Sequence, residues 1–564
     1  MLRWTGLLLL ALGSLVPWRA MAVGTWTNVV QAPPNSVGLQ HILLLSDGTV
    51  MAQQVGTSSN WYRLTPDIHG SYINGSWTNL APMKYTRQFY SSAVLRDGRV
   101  FVAGSEIVAA NPGGNKAEVY DPRNDLWTEI PVPPGLICTN CGGPGFSDSG
   151  CVILPNGNVM IAPVQPAVGN GTVIFNPTSS SLSQGPAYTN NQNEATWVKL
   201  PDDSILTIDA TQNTNPPNSS ERYIPSLNNG QGGWITDANV PVAMYNAAQE
   251  IGGGLLLPDG RAFFIGGLGH TAFYTPSGNT NYGHWTQGPD VPGSGVGWDT
   301  PAAMLVNGKV LFTLNCSPVV CYYEFDPNAN PLTTANAFRS PVDWGDTSGV
   351  MHKMLDLPDG TVLVSYGSST LRIYQPDGAP VPAGKPTISS IVANGDGSYH
   401  LTGTKLNGIS QGSSLGDDAQ MDSNYPLVRL TDGSGNVYYG RTYNWSSTGV
   451  MTGNTPVTTE FSLPLPVYGN GGPFSLVVVA NGISSDPVSF TLSPPNVWVD
   501  FYSTAPFEFG TFSYPDKTLA KGVTDVPSGG TIAIKPGSST ETMPISKPMT
   551  IMAIGGSAGI GHGH

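Results

Sequence analysis

Apolar residues come along this chain in short alternating runs, each closed by turn residues. The stretch Gln88–Pro133 shows the unit. In QFYSSAVLRDGRVFVAGS two β-rich runs flank Asp97-Gly98, a third run, AEVYDP, stops at Pro122, and a fourth, LWTEI, begins near Trp127. Asp-Gly supplies the positive φ angles of a tight hairpin, β-branched and aromatic residues fit a pleated half-buried surface, and proline ends a strand by removing a donor.

The unit recurs seven times. HILLLSDGTVMAQQ turns at Asp47, SSAVLRDGRVFVAG at Asp97, GCVILPNGNVMIAP at Asn156, TWVKLPDDSILTID at Asp203, GGLLLPDGRAFFIG at Asp259, PAAMLVNGKVLFTL at Asn307 and KMLDLPDGTVLVSY at Asp359. The turns are spaced by 50, 59, 47, 56, 48 and 52 residues, the kelch-type period. Fourth strands are predicted at Trp77, Trp127, Leu182, Trp234, Trp285 and Leu332. The seventh unit has none, because the chain passes from Gln375-Pro376 into GAPVPAGKP. The missing strand is GTWTNVV around Trp26, so residues 24–30 complete the last sheet and residues 23–385 form a seven-bladed β-propeller. Radial closure protects sheet edges and stacks faces that no single sheet can bury alone.

The period stops after Pro386. Residues 386–493 alternate as an immunoglobulin-like β-sandwich does, and residues 494–564 carry TIAI, ETMPI and MTIMAI, read as a linker and the short start of a parallel β-helix. The fold class is all-β throughout. Gly 69 and Pro 49 against 11% charged residues suit many strands and turns, not long solvated helices.

Residues 1–22 carry Arg3, an apolar run from Leu7 to Val16 and an Ala20-Met21-Ala22 end, the order of a secretory signal peptide. No later run is long enough to span a bilayer. A secreted or cell-surface location follows as the expectation, and with it disulfides: Cys316–Cys321 as a short staple, and a pair among Cys138, Cys141 and Cys151, of which Cys138 with Cys141 is the preferred one. A net charge of -14 without any basic run excludes nucleic acid as partner.

The propeller followed by this sandwich resembles the galactose oxidase and glyoxal oxidase superfamily, over roughly residues 24–493. Units such as YSSAVLRDGRVFVAGS and MHKMLDLPDGTVLVSYG carry the likeness. The resemblance implies a copper site on the propeller axis with two Tyr and two His ligands, one Tyr cross-linked to a Cys, oxidising alcohols or aldehydes with dioxygen to hydrogen peroxide. Where that family has a Tyr-His pair, this chain has Met351-His352, and the other family histidine aligns with Gln420. A thioether and an amide do not replace a phenolate and an imidazole at copper. Neither Cys141 nor Cys151 stands where the cross-linked Cys is expected.

Two residue sets remain. His352, His41 and Tyr90 enter first strands of neighbouring blades and form a candidate metal set. Asp148, Glu194, Glu250 and Asp299 fall eight or nine residues ahead of the turns of blades three to six, a ring of carboxylates able to bind calcium or sugar hydroxyls at the channel mouth. No residue is assigned a catalytic role. The functional expectation is an extracellular glycan-binding or surface-scaffold protein lacking the copper ligand set. A copper oxidase with a rearranged site and an accessory region of a larger carbohydrate-active β-helix protein are the alternatives.

Overall fold

The computed structural model describes residues 23–561 except 108–112, 140–142, 144, 168, 170, 191, 193, 210–218, 247–249, 294, 341–343, 348 and 416–418. The signal peptide expected at 1–22 therefore lies outside the described residues. Seven antiparallel sheets, each built on four strands, follow in chain order. Blade two is typical: Ser91–Val94, Val100–Ala103, Ala117–Asp121 and Leu126–Ile130 run from the axis outward. The inner strands are buried throughout and the outermost alternate between half-buried and exposed, as expected for sheets stacked around an axis. Thr25–Asn28 pairs antiparallel with Arg372–Gln375 and supplies the fourth strand of blade seven.

One hydrogen bond repeats in all seven turns. The side-chain Oδ1 of an Asp or Asn accepts the backbone N–H two residues on, at 3.0–3.1 Å in each blade. Only the residue after that Asp or Asn is left-handed, with φ between 74° and 87° at the six glycines. The turns are thus tight turns closed by one left-handed residue, not pairs of positive-φ residues. Blade four shows its register by the same bond: Asp202 accepts Ser204 N–H, and Asp203, at φ 62°, takes the glycine's place. Its turn is centred one residue earlier than the pattern of apolar residues suggests.

The fourth strand of blade six also differs from expectation. It is Phe338–Arg339, paired with Glu324 and Phe325, and not the run at Leu332. Pro331, adjoining Leu332, has no N–H to offer a ladder, and a short helix, Thr334–Ala337, carries the chain on until Phe338 fills the core position.

The strands within residues 387–404 and 427–490 form one large curled sheet. Val437–Tyr443 pairs with Leu427–Thr431 over its first half and with Pro456–Ser462 over its second, so one strand joins what the sequence suggests as two layers. The C-terminal segment is parallel: Val497–Val499, Thr531–Ile534 and Thr550–Ala553 lie side by side, and Gly537–Ser539 pairs with Ala558–Ile560.

The curled sheet sits on the turn end of the propeller. Thr442 N–H donates to Ser46 O at 3.1 Å, and the Tyr439 ring lies so close to Gly48 that a Cβ there would meet it at 2.5 Å. The opposite end, where the first strands begin, is the open face.

A hairpin from the same region fills the axis. Gly412–Leu415 pairs antiparallel with Pro301–Ala303 of blade six, and Ala419–Asp422 returns beside it. The two strands lie against the innermost strands of blades one, two, three, five and seven. The channel expected from the repeats is therefore packed with protein. Gly253 makes room for it, since a Cβ there would stand 2.8 Å from both Ala302 Cβ and Ser414 Oγ.

Cys316 and Cys321 form a disulfide, with Cα atoms 5.8 Å apart, across the hairpin between two strands of blade six. Cys138 is disulfide-bonded, Cys141 lies outside the described residues, and Cys151 is a buried free thiol. Among the described residues no helix is long and apolar enough to cross a membrane.

Candidate binding site at the open face

Backbone strain marks the open face. Phe89, Ser147, Glu194 and Asp299 have φ of 53°, 52°, 52° and 49°, and each stands two to four residues ahead of the first strand of blades two, three, four and six. Non-glycine residues in this region persist only where surroundings impose them, and they concentrate at ligand sites.

Two of the four expected carboxylates share an electrostatic environment. Burial raises the pKa of Asp148, helped by the charge of Glu250, although its own backbone and Ser147 donate to it. A third carboxylate joins them that sequence reading missed: Glu106, pushed up to about 6 by burial, then by Asp148 and Glu250. Glu106 follows the second strand of blade two and carries no periodic signal; only closure of the ring brings it towards blades three and five. Glu250 is oriented by Asn246, whose Nδ2 donates to Oε2 at 3.0 Å. Asp148 Oδ1 is buried and receives no hydrogen bond. Glu194 and Asp299 share the left-handed backbone and the same end of the strands, and Asp299 N–H donates to Ile251 O at 3.1 Å.

The candidate metal residues divide between two settings. His41 and Tyr90 lie together, ring centroids 4.9 Å apart. His41 Nε2 is 2.9 Å from Ser92 Oγ, and Tyr90 Oη donates to Gln53 Oε1 at 2.8 Å. Burial, and then the nearby Lys353 charge, holds the His41 imidazole down to about 3 and so neutral. Lys353 Nζ also lies 5.3 Å above the Phe89 ring. His352 belongs to another network. Its Nε2 is 3.2 Å from Asp346 Oδ2, which also takes bonds from Tyr322 and Arg372, and its ring stacks on Tyr366. Burial would raise the Asp346 pKa, but the bonds from His352 and Arg372 override it and hold the carboxyl far below its usual range. Among the described residues no three His, Cys, Asp or Glu side chains are grouped to hold a metal ion.

Two F-box/kelch-repeat proteins of Arabidopsis thaliana are similar in sequence, one 27% identical over 200 residues and the other 37% identical over 60. The chain is a seven-bladed β-propeller protein similar in sequence to kelch-repeat proteins. The propeller's matches cover 34% and 11% of the chain and span only 47% and 16% of those relatives' lengths. No family model matches. Among solved structures, a fungal alcohol oxidase of the AA5 family in complex with copper aligns over 84% of this chain and 99% of its own, at 11% identity and a TM-score of 0.47. Virginiamycin B lyase from Staphylococcus aureus aligns over 62% and 99%, at 13% identity and a TM-score of 0.41.

Proposed function

We propose that this propeller is an extracellular binding protein that holds a polyhydroxylated ligand, a glycan, over its open face, and that it does so without copper. The observation that carries the proposal is that Glu106 and Asp148, from two neighbouring blades, are both raised by burial and then by the charge of Glu250 at the face the curled sheet leaves open, with Asp148 Oδ1 buried and unbonded. Carboxylates kept close despite repulsion are costly to the fold, so a ligand that relieves the cost is favoured there. Sugar hydroxyls donate to carboxylates, and calcium neutralises them. Asp148 Oδ1, buried and without a donor, is the acceptor such a ligand would satisfy. Glu194 and Asp299 form the rim on this reading.

The absence of copper chemistry is supported by the donor set. A site of two phenolates and two imidazoles needs deprotonated tyrosines and free ring nitrogens. Here Met351 replaces a phenol, His41 and His352 are engaged in separate networks, and Tyr322 is kept protonated by burial and then by the Asp346 charge. The residues present do not fit that centre.

The test is calorimetric titration of the purified protein with neutral oligosaccharides, with and without calcium, beside a peroxide-release assay of the copper-treated protein on galactose, primary alcohols and glyoxal-type aldehydes. Binding that the triple variant Glu106→Gln, Asp148→Asn, Glu250→Gln loses supports the reading. Peroxide turnover, or oligosaccharide binding unaffected by the triple variant, refutes it.

A further inference from the structure

We infer that the C-terminal segment carries a second carbohydrate contact, an aromatic platform made by Phe507, Phe509 and Tyr514. This inference stands on different residues from the open-face site and does not depend on it.

The three rings are exposed by 58%, 65% and 41%. They form one patch: centroids are 5.5 Å apart for Phe507 and Phe509, 5.7 Å for Phe509 and Tyr514, and 6.3 Å for Phe507 and Tyr514. Three large rings left in water and clustered together mark a binding surface.

The patch is held in shape by a built base. Phe509 N–H and Thr511 N–H both donate to Tyr514 O, at 2.9 and 3.2 Å, closing the loop that bears the rings. Trp498 N–H donates to Gly510 O at 2.8 Å and Asp516 N–H to Trp498 O at 2.9 Å, tying the loop to the parallel strands. Lys517 N–H donates to Glu508 Oε2 at 2.9 Å. Between the exposed rings, Phe512 turns inward instead, edge-on to Trp498 at 5.0 Å and beneath Lys535 Nζ at 4.4 Å. The inward aromatic anchors the loop, and the outward ones are pre-organised, which lowers the entropy lost on binding.

The chemistry of the patch selects its occupant. Ring faces carry the negative side of the aromatic quadrupole and attract positively polarised groups. The C–H bonds of a pyranose ring, on carbons that bear oxygen, are such groups, and one face of the sugar presents several of them. The neighbouring charges are of both signs, Lys521 acting on Asp516 ahead of Asp525 and Glu508 and Lys535 lying on Phe512, while the whole chain is at -14. The net charge of the chain disfavours phosphate-bearing or sulfated ligands and anionic membranes. A neutral polysaccharide is left as the ligand the platform accepts, with Glu508 and the Tyr514 hydroxyl beside it to meet sugar hydroxyls. Binding at two separate places on one chain would add avidity for a polymer.

The test is retention of the full chain on insoluble cellulose, chitin and starch, with phosphatidylcholine vesicles as a second probe. The wild-type protein should be retained by at least one of the three polysaccharides. The double variant Phe507→Ala, Phe509→Ala should lose about tenfold or more of that affinity, while Phe509→Tyr, which keeps a ring, should stay near wild type. The triple open-face variant should leave this retention in place. Because all three side chains are exposed, an unchanged thermal melt confirms that the double variant is folded. No retention of the wild type on any of the three, equal retention of the double variant, or ring-dependent binding to vesicles in place of polysaccharide each overturns the inference.

Discussion

Trp26 stands opposite Tyr374 across the seam where the two ends of the propeller meet, with ring centroids 4.8 Å apart. The Tyr374 hydroxyl accepts Gly24 N–H at 2.9 Å and donates to Glu324 Oε2 at 2.6 Å, so the seam is joined to blade six as well. Trp26→Ala removes the ring that seals this closure. It is expected to destabilise the protein by about 2–4 kcal/mol, since the side chain is half-buried, read as a lower midpoint in chemical denaturation. A midpoint within error of wild type would show that the seam is held by its backbone ladder alone.

The axial hairpin makes a second prediction. Gly253→Ala places a methyl group 2.8 Å from Ala302 Cβ and Ser414 Oγ, between blade five and the hairpin. Overpacking of this kind costs about 1–3 kcal/mol. Limited proteolysis should cut the variant faster within residues 412–422 than the wild type.

Stability should fall as pH rises from about 4 towards 8. Burial pushes the carboxyls of Asp356, Asp422 and Asp209 up to about 8, 7 and 7. In the unfolded chain they ionise near the ordinary carboxylate pKa, so the stability from these neutral groups is complete below that value and is lost as pH rises through 7–8. His41 acts in the opposite sense and offsets part of this slope below pH 6.5: held neutral down to about 3 in the fold, it lets the unfolded chain gain a proton that the fold refuses. Melting temperatures across pH 5–8.5 check the shape. Asp356→Asn should make this fall shallower, and an undiminished slope in that variant would count against the assignment.

Cys151 should be silent in the native protein. Its thiol is fully buried, and burial, followed by the Asp422 charge, pushes its pKa far up. Thiolate is the reactive form. Iodoacetamide at pH 8 should leave Cys151 unmodified in the folded protein and label it in guanidinium, as peptide mass spectrometry would report.

Asp148→Asn should stabilise the ligand-free protein. Its charge is disfavoured by burial and by Glu250, and the substitution removes that charge while keeping the shape. A gain of about 1 kcal/mol near pH 8, together with weaker glycan binding, is the expected pair of outcomes. Loss of stability would mean that Asp148 serves the fold.

What the sequence determined about this protein is its repeat. The alternation around Asp97-Gly98, copied seven times, is local information: each hairpin needs an apolar face, a left-handed residue and an Asp or Asn to accept an N–H, and all three lie within a few residues of one another. The displaced strand at Trp26 was legible for the same reason, as a fourth strand without its first three. The tertiary structure decided the rest. That Asp202 and not Asp203 centres the fourth turn depends on which side chain takes the bond, and apolar spacing does not encode that choice. That Phe338 replaces Leu332 depends on Pro331 having no donor for the ladder. That residues 412–422 fill the axis depends on a packing partner more than a hundred residues away, against Ala302. Glu106 gains its meaning the same way, because burial and then the charges of Asp148 and Glu250 raise its pKa, and these come about only when the ring closes. Short-range rules write the blades, while burial and charge between distant residues write the site.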